Sequence, residues 1–382
     1  MRILHLCLLG PYSDGYYYQD NMLPQQNSKD GHIVEIIAPT EKIVNGIVQD
    51  DRIPITYTDP SGVKIIRIPV IRIVNHFIST RIRAYKNIYS LISEFNPDIM
   101  FYHCFGGKEL LTVAKYVSKH PKVKLFIDTH SDYENSATNF LSKFLLHKVF
   151  HKFTFKKAVK YAEKVYYVAP ESLVFIKDLY GFNDKTKLEF FPLGGYIIEN
   201  EKRIIYKEKV RSELNISHDD LIFIHSGKFS EEKKTYELVT AFNKVKSTRL
   251  HLLIIGSFEE NVYSKVESLI ENDSRISYLG WKTTEDLEMY LCASDVYILP
   301  GSRTVTVQHA ICCGCAIITN RSYVYTYLLK DIPIYADTID ELINAINLME
   351  NESQIILDQK EKLSYLAKTE LDYRILANRY VY

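Results

Sequence analysis

The sequence predicts an α/β protein built from two tandem domains, each a doubly wound parallel sheet. Three observations lead there. Short continuous runs of Val, Ile and Leu alternate with helical stretches, the pattern of strands covered on both faces and joined by crossover helices. The same pattern starts again in the second half of the chain. The length, 382 residues, exceeds what one hydrophobic core of about 250 residues accommodates.

In the first half the strand-like runs are RILHLCLL, HIVEIIAP, VKIIRIPVI, DIMFYHC, VKLFIDTH, KVYYVAP and LEFFPLG. KELLTVAKYVSKH, between two of them, is long enough for a crossover, which makes its flanking strands parallel. LIFIHSGK, LHLLIIG, ISYLGW, VYILP, AIITN and IPIYA repeat the pattern in the second half. The break is placed in FPLGGYIIENEKRI, where Gly194 and Gly195 end a strand and charged residues follow, giving domains over 1–197 and 198–364. From about Ile355 the chain reads as helical and closes on YRILANRYVY, whose aromatic residues call for burial; residues 365–382 are expected to return to the first domain.

Composition excludes several classes. Basic and acidic residues balance at 47 each, so no global field draws in nucleic acid. Hydrophobic residues at 46% and charged residues at 25% exclude a disordered or fibrous chain. MRILHLCLLG lacks the long apolar region of a secretion signal, and no run nears the roughly 20 apolar residues of a membrane span, so a cytoplasmic protein is expected. Six cysteines do not make a disulfide framework. Cys312 and Cys315 have C-x-x-C spacing without a second pair nearby, and are read as small buried residues at a helix-to-strand junction rather than metal ligands.

Open parallel sheets bind ligands at the carboxyl ends of their strands, and four such junctions carry chemistry. LLGPYSDGYYYQ sets Gly10 and Gly15 where backbone can approach a ligand, ahead of a helix expected from about Tyr16. Without G-x-G-x-x-G spacing it reads equally as a plain turn. FIDTHSDYENSAT puts His130 at the exit of an apolar strand, either to hydrogen-bond a substrate hydroxyl or to cap backbone; His103 in FYHCFGG stands similarly one strand earlier. FIHSGKFSEEKKTYELV places Gly227 at a tight exit, Lys228 after it and Lys234 at the opening of a helix. Two cations and a helix amino end can neutralise a diphosphate, although Glu231, Glu232 and Lys233 fit an ordinary solvated helix start. PGSRTVTVQHAICCGCAIIT offers Ser302, Arg303 and Thr304 at a turn whose following amides suit phosphate oxygens, with Thr304 equally an N-cap.

In this order the pieces resemble the glycosyltransferase family 4 group, retaining enzymes of the two-domain GT-B fold, over nearly the whole chain. YQDNMLPQQNSKDGHIVEIIAP, SDYENSATNFLSKFLLHKVFHKF, APESLVFIKDLYGF and FPLGG look like bacterial surface-polysaccharide transferases. SGKFSEEKK matches the family's Gly-Arg/Lys loop and YLGW the loop that brackets the base. The resemblance implies two Rossmann-like domains facing across a cleft, with His130, Lys228 and Lys234 as catalytic residues. It places Gly227, Gly280 and Trp281 in the donor and nucleotide site, to which the loop readings add Gly10, Gly15, Ser302, Arg303 and Thr304. It departs where the family carries two glutamates eight positions apart: His309 falls on the second and Gly301 near the first. Gln308 or His309 remains available to hydrogen-bond ribose.

What the resemblance implies is transfer of a sugar, with retention, from a UDP- or GDP-linked donor to a hydroxyl of a glycan or lipid-linked acceptor. The departing phosphate takes the acceptor proton, and no metal or other cofactor is expected. No paired carboxylates stand in a suitable arrangement for a two-carboxylate glycosidase. Over 140–164, Lys143, Lys148, Lys152, Lys156, Lys157 and Lys160, with His147 and His151, interleave Phe, Leu and Val. That stretch is either a basic amphipathic helix for peripheral contact with an anionic membrane or a solvated face over an apolar stripe. The missing glutamates keep a second class open, a non-catalytic GT-B partner or scaffold of an active transferase.

Overall fold

The computed structural model describes residues 1–44, 47–73, 75–136 and 142–382. The chain divides into two compact units, Met1–Pro192 with Leu376–Tyr382, and Leu193–Ile375.

In the first unit the strands are β1 (Arg2–Leu6), β2 (Ile33–Pro39), β3 (Glu41–Val44), β4 (Ile47–Asp50), β5 (Ile55–Thr58), β6 (Lys64–Ile68), β7 (Ile99–Tyr102), β8 (Lys124–Thr129), β9 (Ala162–Tyr167) and β10 (Leu188–Phe190). They form an eight-stranded sheet in the order β10-β9-β8-β7-β1-β2-β6-β5, with β3 and β4 as a separate hairpin. All pairings in the large sheet are parallel except β5 with β6. The strand-like runs therefore become a parallel sheet, and the edge is closed by an antiparallel strand that lacks a continuous apolar run.

Side chains alternate across this sheet. Leu4 and Leu6 of β1 and Met100 and Tyr102 of β7 face a core with Ile88, Ile92, Leu110, Val113 and Phe155. His5 and Phe101, between them in sequence, point to the other face, where Tyr380 packs on both rings. Each fully buried Leu, Ile or Phe there contributes about 1.5–3 kcal/mol.

The second unit holds β11 (Leu221–Phe229), β12 (Leu250–Phe258), β13 (Ile276–Gly280), β14 (Val296–Leu299), β15 (Ala316–Thr319) and β16 (Ile334–Tyr335). Their order is β13-β12-β11-β14-β15-β16, all parallel. In both sheets the winding direction reverses once, between β1 and β7 and between β11 and β14, and such switch points open crevices at the strand carboxyl ends.

The chain enters the second unit at Leu193 and leaves it only after Ile375. The helix Ser353–Leu366 belongs there, because Gln359 Oε1 accepts from Ile317 N at 2.9 Å and Lys360 Nζ lies 3.5 Å from Asp295. Gly195 and Asp372 form a bridge, with Gly195 N donating to Leu371 O and Tyr373 N to Gly195 O, both at 3.0 Å. Only Leu376–Tyr382 joins the first unit, anchored by Arg379 on Glu189 and by Tyr380 on Asn27.

Candidate functional site

At the switch point of the first sheet, β1 runs out through Leu8 to Gly10 and β7 through His103 to Cys104. A side chain at Gly10 would meet open space, and Gly15 has φ +78°, a conformation other residues resist. The helix that follows begins at Gln19, three residues later than the sequence suggests, because the loop is held first. Arg67, buried, donates to Tyr12 O at 3.0 Å and to Asp14 Oδ2 at 2.8 Å, while Tyr57 Oη donates to Asp14 Oδ1. Beside the loop lies an open pocket of about 380 Å³, lined by Tyr12, Asp14, Gly15, Asn21, Gln25, Lys29 and Asp59 among others.

His130 leaves β8 two residues after Asp128. Its Nε2 is 3.6 Å from Asp128 Oδ2, and 37% of its side chain is exposed. The same carboxylate oxygen accepts from His103 Nδ1 at 2.9 Å. Burial alone would raise the Asp128 carboxyl, but His103 and His130 outweigh it and hold the group well below the ordinary range. Burial would likewise lower His130, yet Asp128, then Asp20, raise it above the usual imidazole value, an effect trimmed by solvent screening at the exposed edge. Asp132 turns the next loop, accepting from Glu134 N and Asn135 N, and Asn135 Nδ2 donates back to His130 O.

In the second unit, Gly227 and Gly256 face each other in register near the ends of β11 and β12. A Cβ at Gly256 would lie 1.8 Å from Gly227 O. Lys228 follows, exposed, with no partner for Nζ among the described residues. Lys234 stands at the opening of the next helix, as the sequence suggests, and its neighbour Lys233 adds a further cation. Lys234 adopts φ +53° immediately before the helix Thr235–Lys244, and its Nζ donates to Asp337 O at 3.3 Å. Lys233 instead turns inward, donating to Ser302 O at 2.7 Å and Arg303 O at 2.9 Å. Burial, against a smaller pull from Glu232, pushes its ammonium down to about 8. The left-handed residue reverses the backbone, so adjacent lysines point apart.

The turn Ser302–Thr304 is thus stitched from below. Ser302 N donates to Glu232 O at 2.7 Å, and Thr304 N to Tyr325 Oη at 3.0 Å. Thr304 is not the N-cap: the helix is Thr306–Cys312, capped by Val305, and Thr304 Oγ1 accepts from Thr306 N at 3.3 Å. With seven residues the helix offers little dipole, so the anchoring of Ser302–Thr304 rests on Lys233 and Tyr325. Gln308 and His309 lie buried on this helix; Gln308 Oε1 has no hydrogen-bond partner among the described residues, and burial pushes His309 down to about 4 despite Glu288. Gly280, at φ +67°, ends β13, and Trp281 beyond it is 55% exposed. The structure therefore joins Lys233 to Ser302, Arg303 and Thr304, while Trp281 stands at a different strand end.

All six cysteines are free thiols, and Cys315 Sγ donates to Leu291 O at 3.1 Å. Among the described residues no three His, Cys, Asp or Glu side chains gather as metal ligands. In the basic stretch, Phe140 and the Lys143 side chain lie outside what the structure describes. His147 and His151 are not part of its charged face: both are buried, His151 Nδ1 accepting from Gly107 N and His147 Nδ1 meeting Tyr180 Oη. The outward face carries Val149, Phe153 and Tyr161 with Lys148, Lys156, Lys157 and Lys160. Among the described residues no helix is long and apolar enough to cross a membrane.

Residues 206–369 match the family model described as Glycosyl transferases group 1. No curated protein matches the chain. Among solved structures, the sucrose-phosphate synthase of Thermosynechococcus elongatus is 13% identical with a TM-score of 0.68, covering 99% of this chain and 96% of its own. HepE from Anabaena, solved with UDP and glucose, is 14% identical with a TM-score of 0.64, covering 99% and 97%. WaaG, a glycosyltransferase involved in lipopolysaccharide biosynthesis, is 13% identical with a TM-score of 0.61, covering 99% and 98%. The structural likeness shows the fold, GT-B. The family match across most of the second unit supports a glycosyltransferase.

Proposed function

We propose that the protein moves a sugar from a nucleotide diphosphate donor, UDP- or GDP-linked, to a hydroxyl of a glycan or lipid-linked acceptor in surface-polysaccharide or glycoconjugate synthesis, with retained configuration. The observation that carries this reading is the unpaired Lys228 at the end of β11, beside a turn that buried Lys233 holds by two carbonyls. Charge develops on the departing diphosphate, and fixed cations aimed at it lower the barrier most where water is excluded. From the resemblance, His130 meets the donor sugar, and the departing phosphate takes the acceptor proton without a metal. The polar pocket over Tyr12, Asp14, Gln25 and Asp59 supplies acceptors and an aromatic face suited to sugar hydroxyls on the acceptor side. Lys148, Lys156, Lys157 and Lys160 around Val149 and Phe153 suit an anionic lipid surface, where a lipid-linked acceptor would lie.

Purified protein is expected to be stabilised by one member of a panel of UDP-, GDP- and CMP-sugars and to hydrolyse or transfer from that donor. Lys228→Ala should lower turnover by roughly 100-fold. Because Lys233 must stay charged, Kd for the donor should rise above about pH 8. Absence of donor binding and turnover by the folded chain would leave the non-catalytic partner in its place. Charge reversal at Lys156 and Lys157 is expected to abolish binding to phosphatidylglycerol vesicles; unchanged binding removes the membrane contact.

A further inference from the structure

A chain of hydrogen-bonded polar groups runs through the face of the first sheet where apolar packing is the rule for parallel strands. Tyr380 Oη donates to Asn27 Oδ1 at 2.6 Å, and the same oxygen accepts from His5 Nε2 at 3.0 Å. Burial holds the His5 imidazole well below its usual value, and proximity to His103 adds to this, so His5 is neutral and offers Nδ1 as an acceptor. His103 Nδ1 then donates to Asp128 Oδ2 at 2.9 Å, and its Nε2 lies 3.1 Å from His5 Nδ1. Asp128 Oδ1 accepts from Cys104 N at 2.6 Å.

Every member of this chain is buried, and the next group after Asp128 is His130, the one ring that reaches solvent. The rings of His5 and His103 stack at 5.3 Å, and Tyr380 closes edge-on against Phe101 at 4.9 Å, so the members have little freedom to turn. Burying five polar groups is costlier than burying five apolar ones of the same size. The arrangement gains direction in return, since Asn27 Oδ1 gathers the donors of Tyr380 and His5 and the chain ends on the Asp128 carboxylate beside His130, although Asn27 Nδ2 finds no partner among the described residues.

We propose that Asp128 is a positioning residue for His130, and that the buried chain Tyr380–Asn27–His5–His103 sets the place and charge of Asp128. The kinetic consequence rests on the reading of His130 as the donor-sugar contact; the structural consequence does not. Asp20 is the other carboxyl that acts on the His130 ring, and it is left intact in the test.

The test is ring nitrogen NMR on the full-length protein with labelled histidine, comparing wild type with Asp128→Asn and with Tyr380→Phe, which removes one hydroxyl and keeps the ring. Asp128→Asn is expected to lower the titration midpoint of His130 by about one pH unit or more. Tyr380→Phe should shift the His5, His103 and His130 resonances while the melting temperature stays near wild type. With a turned-over donor, both variants should lower kcat, Asp128→Asn by roughly 10- to 100-fold, with KM little changed. A His130 ring that does not respond in either folded variant overturns the proposal. Should the rings respond while wild type turns over no donor, the positioning chain stands and the transferase reading falls. If donor turnover is present and kcat is unmoved by both variants, the transferase reading stands and the positioning role falls.

Discussion

Between pH 6.5 and 4.5 the protein is expected to lose most of its thermal stability, with both units affected. Burial pushes His147 down to about 4 and His151 to about 3 in the first unit, the second with help from His147, and it pushes His225 and His309 to about 4 in the second. His5 moves the same way. Each of these groups binds a proton more weakly when folded than when unfolded, where the value is 6.5. The contribution is therefore whole above pH 6.5 and is lost as pH falls toward the folded values. At pH 5 each group with a folded value near 4 has cost about 2 kcal/mol, at about 1.4 kcal/mol per unit. Against a total of about 5–15 kcal/mol this is decisive even for two such groups. His147 and His151, with ring centroids 5.2 Å apart, repel once charged, so the second proton enters harder than the first. His130, raised by Asp128, works the other way: it adds stability below pH 6.5 that is lost as pH rises through its folded value. One group does not offset five. Circular dichroism melts from pH 7.5 to 4.5 should show a falling Tm, and the fall should be shallower in His225→Gln, which keeps a polar group beside Thr235. A flat profile would refute the account.

What the sequence made legible follows from where the physics is local. Apolar runs such as HIVEIIAP and LHLLIIG report strands covered on both faces, and they became β2 and β12. The tight exit read at Gly227 is present, with φ +148°. Long-range pairing is not written in any run. Nothing in the last helical stretch says that Asp372 bridges Gly195 or that the chain rejoins the first unit at Leu376. The choice between Lys233 and Lys234 turns on one backbone dihedral, φ +53° at Lys234, which no side-chain pattern encodes. A signal did exist for the buried polar chain: His5 and Asp128 interrupt strands that are otherwise apolar, and a polar residue in a doubly covered strand needs a partner. The partners, Asn27 and Tyr380, lie 22 and 353 residues away from the groups they bind.

Installing at Gly301 and His309 the two glutamates of the enzymes that the sequence resembles is expected to damage this protein rather than improve it. A Cβ at Gly301 would lie 2.2 Å from Glu232 O and 2.3 and 2.4 Å from the carbonyl carbon and oxygen of Lys233. These are backbone atoms, so no rotamer change relieves the clash; the Glu231–Lys233 turn must move instead. That movement breaks Ser302 N to Glu232 O and withdraws Lys233 from Ser302 O and Arg303 O. Gly301→Ala should therefore cost more than about 3 kcal/mol, a Tm loss of roughly 10 °C, and weaken donor binding with it. Gly301→Glu adds a longer side chain to the same clash. At the second position, His309 sits buried near Glu288, so His309→Glu would set two carboxylates together in a site without solvent. A Gly301→Glu variant that melts within about 2 °C of wild type and binds donor equally would show that the two turns are not in contact. Otherwise the absence of an acid pair is a property of how closely these backbones pack around Gly301.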